Sequence, residues 1–207
     1  MLPSDVYRPP LTRGWLEERL RRQGILPEDA NFPRYTHGPG RHTVPAAVLV
    51  PVVNQPGGPT LLFTQRTAHL HDHAGQISFP GGRVDERDPD RIATALREAE
   101  EETGLSRNRV EIIGRLPDYD ILTGFRVTPI VGWVEPPFEL KPDPFEVADV
   151  FEVPLEFFLD PVNHQRHSDV LNGRTRHFYS MAYGDRYIWG ATAGMLYTLY
   201  QILTGRS

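Results

Sequence analysis

Within the run Arg97-Glu98-Ala99-Glu100-Glu101-Glu102-Thr103-Gly104-Leu105, four carboxylates and a guanidinium fall inside six residues. At about 100° per residue of a helix, Glu98, Glu101 and Glu102 project within a sector of roughly 100°. Ile92, Ala95, Leu96 and Ala99 form the neighbouring apolar stripe. Like charges at these spacings cost a helix a few tenths of a kcal/mol per pair, and a hard divalent cation with oxygen ligands reverses that cost. Arg97 stands four residues before Glu101, within reach of an ion pair that restrains the carboxylate. Glu100 projects away from the trio and is expected on the surface.

The elements around this run have recognisable starts and stops. Asp88 is expected to N-cap the acidic helix with Pro89 at its first position, and Gly104 is expected to end it. Upstream, Phe79-Pro80-Gly81-Gly82 predicts a tight turn whose missing side chains let backbone groups approach a ligand closely. Strands are predicted at Val44 to Val53, Thr60 to Arg66, Val110 to Leu116, Val127 to Glu135, Val147 to Val153 and His177 to Tyr183. The first two form a hairpin-like pair, and Pro51 places the first at a sheet edge or a bulge. Helices are predicted from Thr12 to Gln23 and from Gly190 to Leu203. The element order implies an α+β fold with a mixed sheet.

The 207 residues suffice for one domain with a full core. Residues 1–41 read as an N-terminal helix and arm packing on a domain of residues 42–207. The chain is 39% hydrophobic and 24% charged, the balance of a soluble globular protein, so its 20 prolines and 18 glycines signal turns rather than disorder. No stretch approaches a membrane span, and the first residues lack the apolar core of a secretory signal. With zero cysteines the expectation is a cytoplasmic protein. A formal net charge of −5 offers no broad basic surface for nucleic acid.

Gly82 through Leu105 resembles the Nudix box, Gly-x5-Glu-x7-Arg-Glu-U-x-Glu-Glu-x-Gly-U with U aliphatic. Arg97, Glu98, Glu101, Glu102, Gly104 and Leu105 occupy their motif positions, with Ala99 a small version of the aliphatic one. Asp88 stands where the motif has Glu, and eight residues rather than seven separate it from Arg97. Leu62 to Gly82 is similar to the further motif of the coenzyme A pyrophosphatase branch, Leu-Leu-Thr-x-Arg-(Ser/Ala)-x3-Arg-x3-Gly-x3-Phe-Pro-Gly-Gly. Thr64, Arg66, Gly75 and Phe79 to Gly82 match, whereas Phe63, Thr67 and His71 depart from it. That branch tolerates the Asp and the longer spacing, and often ends in a stretch like Ile188-Trp-Gly-Ala-Thr-Ala193. His69-Leu-His-Asp-His73 falls one residue short of a binuclear-hydrolase pattern and lies inside this second motif, so it is not read as a transition-metal site. Trp189 is expected to pack rather than stack on a base.

The resemblance implies the Nudix fold, a mixed β-sheet sandwiched between helices (α/β/α). It implies hydrolysis of a nucleoside diphosphate linkage, with coenzyme A or acyl-CoA cut to 3',5'-ADP and 4'-phosphopantetheine. Glu98, Glu101, Glu102 and the Gly82 carbonyl would hold Mg2+ or Mn2+, and Arg97 would orient a glutamate. Glu101 or Glu146, the latter on the apparent loop before the strand at Val147, would be the base. Arg66 would contact phosphate, Gly81 would let its backbone approach the substrate, His73 would line the substrate loop, and a protonated His71 would partly replace the missing arginine. Asp118, Tyr119 and Asp120 resemble another substrate-side loop. The alternatives are an ADP-ribose or dinucleotide pyrophosphatase and a non-catalytic ligand sensor. The partners implied are a small-molecule nucleotide diphosphate and, at most, a second copy in a homodimer; neither nucleic acid nor membrane is expected.

Overall fold

A computed structural model describes residues 10–22, 43–69, 75–121, 123–171 and 174–206. The central strand β1, Val44–Val53, is an unbroken apolar run buried along most of its length. Such a run has no solvent face to supply alternation, which is the signature of a strand covered on both sides. β1 pairs in parallel with β7, Phe125–Val134, from Val44↔Phe125 to Val53↔Val134. The connection between them carries helix α2, Arg91–Thr103, as a parallel pair requires. Outward from β1 lie β2, Thr60–Arg66, and β3, Ile77–Ser78. β5, Val110–Arg115, lies beyond β7, giving the order β3-β2-β1-β7-β5. The short strands β4, Gly81–Arg83, and β6, Tyr119–Asp120, join β1 and β7, and β8, Val147–Pro154, joins β2.

The sheet is mixed and sandwiched. On one face Ala95 and Ala99 of α2 pack among Ala47, Leu49, Val53, Leu62, Ile130 and Val134. On the other, Leu16 and Leu20 of α1, Arg13–Arg21, share a core with Val50, Phe63, Val131 and the last helix. α1 starts where Thr12 Oγ1 accepts the Trp15 N–H. The short helix α3, Leu155–Leu159, adds Leu155 and Phe158. The last helix, α4, Gly190–Thr204, buries Ala193, Met195, Leu196 and Leu199, and packs against a second, three-stranded sheet. That sheet is β9, Gln165–Leu171, β10, Arg174–Tyr183, and β11, Arg186–Trp189. Sequence periodicity anticipates part of β10 alone. Among the described residues no helix is long and apolar enough to cross a membrane.

Three expectations are corrected. β1 is not an edge strand despite Pro51. It pairs with β4 at Ala46–Val48 and with β2 at Val52 and Val53; Pro51 falls in the gap between these partners, where its missing donor leaves no ladder bond unmade. Asp90, not Asp88, caps α2, its Oδ1 accepting the Ala93 N–H at 2.8 Å. Gly81 and Gly82 extend as β4 rather than forming a tight turn, because β1 offers free backbone partners at Ala47 and Val48. Trp189 is 43% exposed and meets Phe178 edge-on at 6.2 Å.

Candidate functional site

Arg97 organises the carboxylates. Its Nε and Nη2 donate to Asp88 Oδ1 and Oδ2 at 3.0 and 2.9 Å, the paired geometry that a planar guanidinium makes best. Nη1 donates to Glu98 Oε1 at 2.8 Å and to Glu101 Oε2 at 3.0 Å, and Nη2 reaches the Arg83 carbonyl at 3.2 Å. One side chain thus ties the loop before α2, strand β4 and two turns of α2. Asp88, which sequence reasoning assigns to helix capping, is the anchor for that guanidinium. It also accepts from Thr94 Oγ1 at 2.9 Å and from the Asp85 N–H at 3.1 Å. An acid upstream of a motif arginine is the signal that could have identified it.

These bonds hold the Asp88 carboxyl well below its ordinary range, with Arg97 the main cause. A depressed carboxyl stabilises the fold above its unfolded pKa, near 4, and that contribution is lost as pH falls through the folded value. Asp88→Asn is therefore expected to melt below the wild type at pH 7, with the gap closing as pH drops below about 4. Thermal melts followed by circular dichroism check this; a gap independent of pH would mean that the charge of Asp88 contributes nothing.

The remaining carboxylates are crowded and dry. Glu102 is 6% exposed, and burial pushes its carboxyl up to about 8. Glu146 and Glu98 push in the same direction, against Arg66 and a hydrogen bond from the Gly81 N–H. Glu98 is also pushed up, first by burial, although Arg97 opposes it and Glu101 and Glu146 add to it. The structure therefore brings Glu98, Glu101, Glu102, Glu146, Arg66, Arg97, Gly81 and Gly82 together. Glu146 arrives because its loop docks on the end of α2. The Lys141 N–H donates to Thr103 O at 2.8 Å and the Asp143 N–H to Glu102 O at 2.9 Å. Thr67 then fastens the turn: its N–H donates to Glu146 O at 3.0 Å and its Oγ1 to Phe145 O at 2.9 Å. In the sequence alone Thr67 stands out only as a departure from a motif.

The glycines leave space that the carboxylates use. A Cβ on Gly82 would lie 2.5 Å from Glu98 Cδ, so the glutamate sits where any other residue's side chain would begin. Among the described residues Arg66 Nε is buried without a hydrogen-bond partner, an arrangement that costs free energy unless a ligand supplies the acceptor. Hard oxygen donors crowded to mutual repulsion fit a hard divalent cation. Among the described residues, however, no three carboxylate or imidazole groups already form a coordination shell; Arg97 engages one oxygen each of Glu98 and Glu101.

Other expected residues lie elsewhere. His71 and His73 fall outside the described residues. Asp118, Tyr119 and Asp120 serve the framework. Asp118 accepts from Thr128 Oγ1 at 2.8 Å, Tyr119 is buried against Gly194, and Asp120 takes a paired contact from Arg126 at 2.7 and 2.8 Å. The matching motif residue Phe79 stacks on Phe63 at 4.9 Å in the core, so part of that motif is packing. A cavity of about 960 Å³ between α1, α3 and α4, lined by Leu11, Trp15, Arg19 and Leu203 among others, includes none of the site residues.

A NUDIX domain model matches residues 43–172. The uncharacterized Nudix hydrolase NudL of Escherichia coli (strain K12) is 44% identical over 151 residues, covering 73% of this chain and 78% of that one. NudL of Shigella boydii serotype 18 (strain CDC 3083-94 / BS512) shows the same identity and coverage. Among solved structures, a C. elegans Ap4A hydrolase binary complex aligns with TM-score 0.47 at 22% identity over 54% of this chain and 80% of its own. The M. smegmatis Nudix hydrolase RenU aligns with TM-score 0.47 at 23% identity over 56% of this chain and 72% of its own. The domain match spans all of the main sheet, α2 and the loop before β8, and so Arg66, Arg97, the three clustered glutamates and Glu146; with the NudL identity it establishes that this chain belongs to the Nudix hydrolase family.

Proposed function

We propose that this protein hydrolyses the diphosphate of coenzyme A or an acyl-CoA to 3',5'-ADP and (acyl-)4'-phosphopantetheine, using Mg2+ or Mn2+. Membership of the Nudix hydrolases makes it an enzyme acting on pyrophosphate bonds. The observation that carries the site is the buried Glu102, whose charge Glu146 and Glu98 oppose and Arg66 favours. The narrower substrate reading is supported by the segment Leu62 to Gly82, which runs from β2 to β4 and delivers Arg66 and the glycines to that point.

Glu98, Glu102, Glu101 and the Gly82 carbonyl would hold the cation, which when bound neutralises phosphate charge and lowers the pKa of water. Arg97 restrains Glu98 and Glu101 so that binding orders little further. Arg66 turns its Nε, which has no hydrogen-bond partner among the described residues, to a phosphate oxygen, gaining a charge-assisted bond. Glu101 is 60% exposed at its side chain and tied to Arg97. Glu146, on a turn fastened by Thr67, is the better placed to accept the proton of the attacking water.

Purified protein with Mg2+ is expected to convert coenzyme A into products with the masses of 3',5'-ADP and 4'-phosphopantetheine, faster than it cleaves ADP-ribose or NADH. Preference for ADP-ribose would overturn the coenzyme A assignment, and no cleavage of all three would overturn the diphosphate site. Glu146→Gln is expected to lower kcat by roughly 10²–10⁴-fold with KM little changed; a larger loss in Glu101→Gln would transfer the base role to Glu101.

A further inference from the structure

Phe145 is a large aromatic side chain left 65% exposed. Single exposed apolar residues are ordinary; Val162 and Val170 are as exposed or more so. Two observations set Phe145 apart. Its main chain is held at both ends, the N–H donating to Asp143 Oδ1 at 2.9 Å and the carbonyl accepting from Thr67 Oγ1 at 2.9 Å. It also directly precedes Glu146, whose charge acts on Glu98 and Glu102. The only ring in stacking range among the described residues is His69, itself exposed, which meets Phe145 edge-on at 5.0 Å. Phe145 is thus an exposed ring on a backbone held at both ends, one residue from Glu146 in the loop that docks on the end of α2.

A rigid ring beside a diphosphate site matches one ligand feature, the planar base of a nucleotide. Aromatic rings stack on bases whatever the base's hydrogen-bonding pattern, and a ring with a fixed main chain loses little freedom in doing so. We infer that Phe145 is the stacking platform for the nucleobase of the substrate, held in place by Thr67 and Asp143. The inference rests on the diphosphate site proposed above and names the part of that site that grips the nucleoside half. It also accounts for Thr67: its hydroxyl holds the carbonyl of Phe145 itself.

The test uses the full chain with Mg2+ and two probes, ADP, which has a base, and inorganic pyrophosphate, which has none. Calorimetry is expected to show Phe145→Leu weakening ADP about tenfold, within the range for one stacked base, with pyrophosphate affinity unchanged. Phe145→Trp is expected to restore ADP binding. Unchanged ADP affinity in Phe145→Leu, including a case where only the oligomeric state alters, overturns the platform while leaving the diphosphate site standing. Equal weakening of both probes also overturns it, since the turn and not the ring would then be what matters. Failure of the wild type to bind either probe overturns both the site and the platform.

Discussion

Glu102→Gln is expected to cut turnover on the order of 10²–10³-fold, the scale of losing one preorganised charge contact at a reacting centre, while making the metal-free protein more heat-stable at pH 9. The two effects have one cause. Glu102 is buried beside Glu98 and Glu146, so the fold resists its ionisation and its carboxyl titrates at about 8. A raised carboxyl pKa contributes stability that is complete below the unfolded value of 4.5 and is lost as pH rises to about 8. Glutamine carries no charge, so the variant escapes that loss. Melts in EDTA should therefore show the wild type falling behind Glu102→Gln between these two values and staying behind above them. Added Mg2+ should raise the wild type more than the variant, because the cation stabilises the state that binds it. A variant less stable than the wild type at pH 9 without metal would show that Arg66 outweighs burial and repulsion at this site.

The second large effect separates two adjacent glycines. Gly82→Ala is expected to keep its melting temperature and lose most of its turnover, whereas Gly81→Ala is expected to lose stability. At Gly82 the new methyl meets the end of the Glu98 side chain, a flexible group that swings away at little cost to the fold but takes its carboxylate out of the site. At Gly81 it meets the backbone of β1, with Val48 Cα at 2.5 Å, and the φ of +158° lies where side chains are rarely found. Neither obstacle can move without parting β4 from β1. Parallel measurement of kcat and Tm for both variants decides the matter; a large fall in Tm for Gly82→Ala would mean that Glu98 is locked in place by its ion pair with Arg97.

Much of the frame is readable from local pattern. Val44–Val53, Thr60–Arg66 and α4 are legible because unbroken apolar runs between turn residues, or apolar residues at helical spacing, point to their elements without knowledge of partners. The cap at Gly104, with φ of +73°, is legible for the same reason. The strands β9 and β11 are not, since Gln165–Leu171 is polar and Arg186–Trp189 short, and each becomes a strand only by pairing with β10. Pro51 misleads because the propensity rule concerns a donor, and whether that donor is needed depends on where neighbouring strands begin and end.

The same division runs through the site. Helical geometry alone places Glu98, Glu101 and Glu102 on one side of α2 and Arg97 within reach of Glu101, because those relations span about one turn and depend on rise and rotation per residue. The sequence by itself thus determined the charge cluster and its cation-like demand. Tertiary structure decided what surrounds it: Asp88 as the anchor of Arg97 across nine residues, Arg66 opposite Glu102, and Thr67 carrying Glu146 in from a loop nearly eighty residues further on. Contacts at that separation depend on the pairing of β2 with β8 and on how the 141–146 loop docks on α2. Burial depends on the same packing, so it is the assembled sheet, not the acidic run, that makes Glu102 resist ionisation and gives the cluster its use.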